Sequence, residues 1–233
     1  MHAMRRIAAF TNLSETVFVL PVKDDADYRL RIFTPRNELP FAGHPTIGAC
    51  HAVRTLRPEL ASKGAMVQAC AAGLIPLLVE GAITYARVPK PSITRPSVAH
   101  EALCAALGVT AIDDPRVIDC GPRWLVAAVH SVSALYALRR DELALVALSR
   151  DLGVTGVPLY ALDGATPHVR SFAPADGISE DPVCGSGNAC VGAHLRETGR
   201  AHLTGNAYVA HQGRGVARDG RVSVWLEGEE VHI

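Results

Sequence analysis

Glu38-Leu-Pro-Phe-Ala-Gly-His-Pro-Thr-Ile-Gly48 is the stretch that decides how the rest of this chain is interpreted. A second stretch, Glu180-Asp-Pro-Val-Cys-Gly-Ser-Gly-Asn-Ala-Cys190, carries the same Glu, Pro and Gly residues at positions shifted by 142 (180 − 38). In each stretch the aligned Gly is followed by small residues, which predicts a turn that leads into a tightly packed helix. The first backbone N–H groups of a helix have no partner within it and can bind an anion. Two such helix ends that face each other would bind a small acidic molecule, which is our first functional hypothesis.

The composition is that of a globular protein, and it argues against several classes of function. The chain has 233 residues, 48% of them hydrophobic, with 23 basic and 23 acidic residues, so its net charge is zero. This balance does not favour binding to nucleic acid or to a membrane surface. The N-terminal segment lacks the apolar run of a signal peptide, and no segment has enough apolar residues to span a bilayer. The six cysteines form no Cys-x-x-Cys pair, so we predict a cytoplasmic protein with reduced thiols.

The order of the predicted elements indicates an α+β fold rather than alternating β–α–β units. The stretch 89–96 contains three prolines, which interrupt helices and sheet hydrogen bonding. We therefore predict a linker there and two domains, residues 1–93 and 94–233, with the last few residues returning to the first domain. Helices are predicted at 5–10, 46–56, 101–107, 141–150 and 185–197, and strands at 16–21, 28–33, 66–69, 74–79, 83–88, 116–119, 124–129, 134–138, 157–162, 168–173, 208–211 and 222–226.

Ser14 and Glu15 are polar residues with apolar neighbours on both sides, just before a predicted strand. One interpretation is a turn that ends the preceding helix, with a solvated Glu side chain. The other is a carboxyl group in an apolar cleft, where desolvation would raise the pKa of Glu15 so that it can both accept and donate a proton. The residues by themselves leave both interpretations open.

His44 precedes Pro45, a residue that suits the first position of a helix, so His44 is predicted to be an N-cap-like residue. Its ring would then lie near the free helix amides, although a role in capping or packing alone is equally compatible with the sequence. A metal ligand would need a partner. His51 is seven residues further on, which corresponds to about 10 Å along a helix, so we predict no metal site.

Asp181 and Cys184 are the candidate side chains of the second stretch. Asp181 is either part of a solvated acidic turn or a group that orients an amine or hydroxyl of a substrate. Cys184 lies beside a predicted helix N-terminus, an environment that lowers the pKa of a thiol. A pair of such thiols would form a two-base proton shuttle, but the residue that matches Cys184 in the first stretch is Ala42.

Three stretches, in this order along the chain, resemble the signatures of the PhzF-like phenazine-biosynthesis isomerases. They are Asn12-Leu-Ser-Glu-Thr-Val-Phe18 and the two stretches that begin at Glu38 and Glu180. The resemblance covers nearly the whole chain. It implies the diaminopimelate-epimerase-like fold, with two pseudo-symmetric lobes, each a curved, barrel-like mixed β-sheet around a central helix, and with the active site between the lobes. It also implies a homodimer.

The resemblance further implies an activity and roles for individual residues. The namesake enzyme of the family isomerises trans-2,3-dihydro-3-hydroxyanthranilate by moving a proton, without a metal or an organic cofactor. By resemblance, Glu15 is the general acid/base that carries the proton. The residues expected to contact a small carboxylic or amino acid substrate are Ser14, Gly43, His44, Asp181, Cys184, Gly185 and Ser186.

The chain departs from the family pattern in two places. Family members begin with a strand, a Gly-Asn-Pro turn and a second strand before the helix that leads to Asn12. Only 11 residues precede Asn12 here, so the first lobe is expected to lack this hairpin. Cys184 stands where many members have Thr, which resembles the epimerases. Two alternatives therefore accompany the isomerase hypothesis: an amino-acid racemase in which Cys184 is one base and Glu15 or His44 the other, and a catalytically inactive homologue that binds a small molecule.

Overall fold

The chain forms two compact units, Met1–Pro89 with His232–Ile233, and Lys90–Val231. The first unit's main segment ends at Pro89, whereas the sequence predicted a boundary after residue 93. Residues Ser92–Thr94 form a strand of the second unit's sheet. The structure is a computed structural model, and it describes residues 2–22, 25–81, 83–98 and 100–233.

The first unit is built on a six-stranded mixed sheet. Its elements are α1 (His2–Thr11), β1 (Thr16–Leu20), β2 (Tyr28–Phe33), β3 (Glu38–Leu39), α2 (Gly43–Leu56), α3 (Pro58–Ala61), β4 (Ala65–Cys70), β5 (Gly73–Glu80) and β6 (Ile83–Ala86). The strand order is β1-β2-β4-β5-β6, and β3 pairs with β2. Strands β2 and β4 run parallel, and the other pairs are antiparallel.

The second unit is built on a nine-stranded mixed sheet. Its elements are β7 (Ser92–Thr94), α4 (His100–Leu107), β8 (Asp113–Asp119), β9 (Arg123–Ala128), α5 (Val132–Tyr136), α6 (Glu142–Leu152), β10 (Val157–Asp163), β11 (Thr166–Ala173), β12 (Ile178–Asp181), α7 (Gly185–Glu197), α8 (Ala201–Thr204), β13 (Ala207–Gln212), β14 (Gly220–Glu227) and β15 (Glu230–His232). The order is β15-β14-β13-β11-β10-β9-β8-β7, with β12 on β11. The pairs β9–β10 and β11–β13 are parallel.

One helix packs on several strands in each unit. Helix α2 contacts β1, β2 and β6, and α7 contacts β8, β9, β10 and β14. Every residue of α7 from Gly185 to Leu195 is buried, which its small side chains make possible. At Gly192 an added Cβ would lie 3.0–3.1 Å from side chains of β13 and β14, so the sheet approaches the helix backbone closely there. The predicted fold class, a curved mixed sheet with a central helix in each half, is confirmed.

Two predictions of local structure are wrong. Residues 134–138, predicted as a strand, overlap α5, because Ser131 accepts a hydrogen bond from the Ala134 N–H and caps a helix at that point. The proline-rich stretch 89–96 contains β7, whose pairing with β8 the flanking prolines do not interrupt. The other predicted helices and strands overlap elements of the same type, and Asp141 caps α6 as predicted.

The helices of the described part of the chain include none with the length and apolar character that crossing a bilayer requires. All six cysteines are free thiols, and five of them are buried.

His194 of α7 is a histidine that burial keeps in the neutral form. Its Nε2 lies 2.6 Å from the Asp114 carbonyl oxygen, which can only accept, so Nε2 carries the proton. In the neutral ring Nδ1 then carries no proton, so it accepts a hydrogen bond from the Tyr160 hydroxyl at 3.0 Å. Burial, together with the nearby charges of Arg200 and Arg116, lowers the pKa of His194 to about 4.

This histidine is expected to destabilise the folded protein in acid. The unfolded chain binds its proton near pH 6.5 and the folded protein near pH 4, so stability falls as the pH drops between these values. The loss is about 3 kcal/mol, at about 1.4 kcal/mol for each pH unit. Urea unfolding at pH 7 and pH 4.5 measures it, and a His194→Gln variant should lose less free energy between the two pH values. Equal losses in both proteins would contradict the prediction.

Candidate active site

Glu15 and His44 are in contact in the first unit, although they are 29 residues apart in sequence (44 − 15). Glu15 directly precedes β1, and His44 lies in the first turn of α2, which packs on β1. The distance from His44 Nε2 to Glu15 Oε2 is 3.2 Å. The Glu15 side chain is 10% exposed and that of His44 is 48% exposed, so a mostly buried carboxylate contacts an accessible imidazole.

One oxygen of the Glu15 carboxylate is buried and yet receives no aligned hydrogen bond. The residues that the structure describes offer no donor in hydrogen-bond geometry to Oε2, since the His44 ring nitrogen is close to it but not aligned with it. Buried polar atoms that lack a partner are rare in folded proteins, and a catalytic role is one of their explanations. This observation favours the functional interpretation of Glu15 over that of a solvated turn residue.

The pKa of the Glu15 carboxyl lies below its ordinary value. Burial raises the pKa, but the His44 ring, through its contact and its charge, and the Ser14 hydroxyl together lower it by more. Desolvation thus acts in the expected direction, but the predicted net rise of this pKa is wrong for the free protein. The sequence does not reveal that His44 lies against the carboxylate. Glu15 thus rests as a carboxylate, the form that can accept a proton.

Replacing His44 is expected to raise the pKa of Glu15. In a His44→Gln variant the positive charge is lost while burial, which raises the pKa, remains. A titration of the Glu15 carboxyl carbon by NMR measures the shift. His51→Gln is the matched control, because His51 lies in the same helix and is exposed. The same Glu15 titration in wild type and His44→Gln would contradict the role of His44.

The N-terminus of α2 is arranged differently from the prediction. Ala42 is the N-cap residue, in an extended conformation with φ −150° and ψ 137°, and no side chain caps the helix. His44 is therefore the second residue inside the helix, and Pro45 is the third. The amides of Gly43 and His44 have no partner within the helix at such an end. The predicted position of His44 as an N-cap-like residue is wrong, although its ring does lie at this helix end.

The two repeated glutamates form the same kind of ion pair in their respective units. In the first, Arg31 of β2 binds Glu38 through two hydrogen bonds, both 2.7 Å long. In the second, Arg170 of β11 binds Glu180 through hydrogen bonds of 3.0 and 2.7 Å. Each pair joins adjacent antiparallel strands just before the turn that leads to the central helix. These arginines have no predicted role, because they lie outside the two repeated stretches.

The second stretch forms a compact turn at the N-terminus of α7. Asp181 Oδ1 accepts a hydrogen bond from the Val183 N–H at 2.8 Å. Cys184 is the N-cap residue, and its Sγ accepts from the Gly187 N–H at 3.3 Å. The Ser186 hydroxyl oxygen lies 3.2 Å from Nε1 of Trp124, which was not singled out for a role from the sequence. As at the end of α2, the first amides of α7 have no partner within the helix.

Cys184 and Ala42 occupy equivalent positions, since each is the N-cap of its unit's central helix. A second thiol that would match Cys184 is therefore replaced by a methyl group. The described residues contain no group of three or more His, Cys, Asp or Glu side chains that could hold a metal ion. The residues singled out from the sequence thus form one local group in each unit, around Glu15 and around Cys184.

Comparisons with known proteins identify the class of this chain. A family model described as phenazine biosynthesis-like protein, PhzC-PhzF, matches residues 1–232. The trans-2,3-dihydro-3-hydroxyanthranilate isomerase of Pseudomonas aeruginosa is 35% identical over 232 residues, which cover 97% of this chain and 80% of that protein. Antisense-enhancing sequence 1 of Schizosaccharomyces pombe is 38% identical over 205 residues, 82% of this chain and 69% of that protein.

Solved structures agree with this assignment. A PhzF-family phenazine biosynthesis protein from Bacillus anthracis superposes with a TM-score of 0.79 at 24% identity, covering 99% of this chain and 84% of that one. A hydroxyproline epimerase from Agrobacterium vitis shares the fold with a TM-score of 0.67 at 16% identity, over 92% of this chain and 66% of that one. The fold is that of the diaminopimelate-epimerase-like proteins, and the class is that of the isomerases. The chain belongs to the PhzC-PhzF family.

Proposed function

We propose that this protein is a cofactor-independent isomerase that moves a proton on a small carboxylic or amino acid, with Glu15 as general acid/base. The buried, unaligned Oε2 of Glu15 is the observation that carries the proposal. The similarity to the relative named trans-2,3-dihydro-3-hydroxyanthranilate isomerase supports a reaction of the same kind. A single carboxyl group that accepts a proton and returns it at another atom is sufficient for such a shift, so the proposal requires no cofactor.

The other candidate residues are proposed to bind the substrate. The Ser14 hydroxyl and the His44 ring interact with the Glu15 carboxylate, and Gly43 and His44 are the first two residues of α2. In the second unit, the proposed substrate contacts are Asp181, Cys184, Gly185 and Ser186, which lie in the turn before α7 and in its first residues. The N–H groups at a helix N-terminus suit a carboxylate, because they donate hydrogen bonds and carry partial positive charge.

The contact between Glu15 and His44 suggests how the proton affinity of Glu15 changes during the reaction. In the free protein His44 lowers the pKa of Glu15. A substrate that draws the accessible His44 ring away leaves burial as the main influence, and burial raises the pKa. Glu15 would then hold the transferred proton more readily in the complex. The acid limb of kcat/KM is therefore expected below the ordinary carboxyl pKa of 4.5, and the limb of kcat above that of kcat/KM.

The racemase with Cys184 as one base is the second candidate function. One observation favours it, namely the position of the Cys184 thiol at a helix N-terminus, where it accepts the Gly187 N–H. The protein lacks the second thiol that a two-thiol racemase would use, since Ala42 occupies the position equivalent to Cys184. An inactive homologue that only binds a small acid is the remaining alternative.

From the family resemblance we also propose a homodimer in the cytoplasm, which light scattering and cell fractionation would test.

Exchange of substrate protons with solvent tests the proposal. The purified protein is incubated in D₂O with a panel of cyclic and acyclic amino and hydroxy acids that includes trans-2,3-dihydro-3-hydroxyanthranilate, and deuterium is measured by mass spectrometry. Deuterium incorporated by wild type and not by Glu15→Gln supports the proposal and identifies the substrate class. Binding of a compound without any exchange, in a folded protein, would instead support the inactive homologue.

A further inference from the structure

Trp124 makes a hydrogen bond that determines which way the Ser186 hydroxyl can donate. Trp124 lies in β9 and is 3% exposed, and Ser186 is the second residue of α7 and is 5% exposed. The indole Nε1 is 3.2 Å from the Ser186 Oγ. An indole N–H can only donate, so the Ser186 oxygen must be the acceptor in this contact. The single hydrogen of the Ser186 hydroxyl is therefore left to donate elsewhere.

The surroundings of Ser186 in the second unit offer that hydrogen a poor acceptor. The contact found for the hydroxyl besides Trp124 is the Cys184 Sγ at 3.8 Å, and sulfur is a weak acceptor. The same sulfur already accepts the Gly187 N–H at 3.3 Å. A ligand oxygen at the N-terminus of α7 would be a better acceptor for the Ser186 hydroxyl than this thiol.

The groups next to the Ser186 hydroxyl also donate. Gly185 and Ser186 are the first two residues of α7, so their N–H groups have no partner within the helix. Because Cys184 takes the third amide, that of Gly187, three donors remain: two amides and one hydroxyl. These three groups are all hydrogen-bond donors and lie at the positive end of a helix dipole, so they suit a ligand carboxylate. A ligand amide would fit less well, because its NH₂ group is itself a donor.

We infer that Trp124 is a positioning residue for the reaction, which holds the Ser186 hydroxyl as a donor to the carboxylate group of the substrate. The inference rests on the proposed function, because it takes Ser186 as a substrate contact. It assigns Trp124 no contact with the substrate, since Trp124 acts through Ser186.

The hydrogen bond itself is tested without any ligand. The chain has two tryptophans, so a Trp225→Phe variant assigns both indole N–H resonances. Ser186→Ala should shift the Trp124 indole resonance, and an unchanged resonance would overturn the inference. This measurement does not depend on the activity of the protein, so its result is separate from the fate of the proposed function.

The role in recognition is tested with anthranilate and its uncharged analogue anthranilamide, by calorimetric titration. Trp124→Phe keeps an aromatic ring in the core and removes the N–H, and it should weaken anthranilate binding about tenfold, the effect of one hydrogen bond to a charged group. Anthranilamide affinity should be little changed. Ser186→Ala should give the same loss, and the double variant should lose no more than either single variant. Trp225→Phe is the matched control.

Losses that add in the double variant, or equal losses for the acid and the amide, would show a structural effect and overturn the inference. So would a wild-type protein that binds anthranilate no more tightly than anthranilamide. If Trp124→Phe does not fold, the wild-type protein carries the test, because anthranilate should shift the Trp124 indole N–H resonance and anthranilamide should not. The same indole resonance with both compounds would overturn the inference. One result would refute the positioning role and leave the proposed function intact. In that result, Glu15→Gln loses the exchange activity, whereas Trp124→Phe keeps the wild-type KM for exchange.

Discussion

Glu180→Gln is expected to lower the free energy of unfolding by about 3–5 kcal/mol, the cost of leaving one partner of a buried ion pair uncompensated. The side chains of Arg170 and Glu180 are 7% and 2% exposed. With glutamine at this position, the Arg170 guanidinium would keep its hydrogen bond to the Leu135 carbonyl oxygen and could donate one to the amide oxygen. Its other donor would face the amide NH₂ group, and the opposite charge would be lost. Urea unfolding at pH 7 measures the change.

The first unit supplies a matched control with the same chemistry. Arg31 and Glu38 form the same bidentate pair, but their side chains are 21% and 25% exposed. Glu38→Gln should therefore cost only about 0–1 kcal/mol. Equal costs at the two positions would show that burial does not set the energy of these pairs. Replacing both Arg170 and Glu180 by Met should restore much of the loss, because the buried Arg170 charge is removed together with its partner. Arg140, which also contacts Glu180, keeps its contact with Glu142.

Glu15→Gln is expected to reduce the rate of substrate proton exchange by about a hundredfold to ten-thousandfold, the usual contribution of a general acid/base. Glutamine has nearly the same shape, so the buried position should still be filled and the protein should stay folded. The rate is measured in D₂O with the substrate that the panel identifies. Glu80→Gln, at an exposed position of β5, is the control for a change of net charge.

Cys184→Ser separates the isomerase from the racemase in the same assay. If Cys184 is a catalytic base, its replacement should remove exchange as completely as Glu15→Gln does. If Cys184 is only the N-cap of α7, serine caps a helix at least as well, and the exchange rate should change little. A large loss in Cys184→Ser together with a small loss in Glu15→Gln would replace the proposed function by its rival.

Much of the fold follows from local patterns that a single sequence displays. Helix α7 was predicted with its observed bounds, because Gly and Ser at its start and a glycine beyond its end, at position 199, are strong signals of helix termini. The strand predicted at 134–138 failed because the capping hydroxyl of Ser131 outweighs the β propensity of a short apolar run. Strands β3 and β12 were not predicted, since they are short and exist through pairing with their neighbours.

The candidate site was predictable only in part, because its chemistry depends on contacts between distant residues. Sequence patterns singled out Glu15 and His44 separately, but not the 3.2 Å contact between them. That contact reverses the expected direction of the pKa shift of Glu15. The hydrogen bond from Trp124 to Ser186 spans 62 residues and leaves no pattern in the sequence.

The paired arginines also bear on how ancient internal duplications can be detected. The glutamates of the two pairs are related by a shift of 142 residues (180 − 38), whereas the arginines are related by 139 (170 − 31). The two links between the strands have the same length, residues 34–37 and 174–177, so the difference arises within the strands. Arg170 lies one residue further from the end of its strand than Arg31 does, and Glu180 lies two residues further into its strand than Glu38 does. A comparison of the chain with itself at one fixed offset therefore misses half of each pair. Searches that match contacts instead of positions would recover such repeats after the paired residues have moved along their strands.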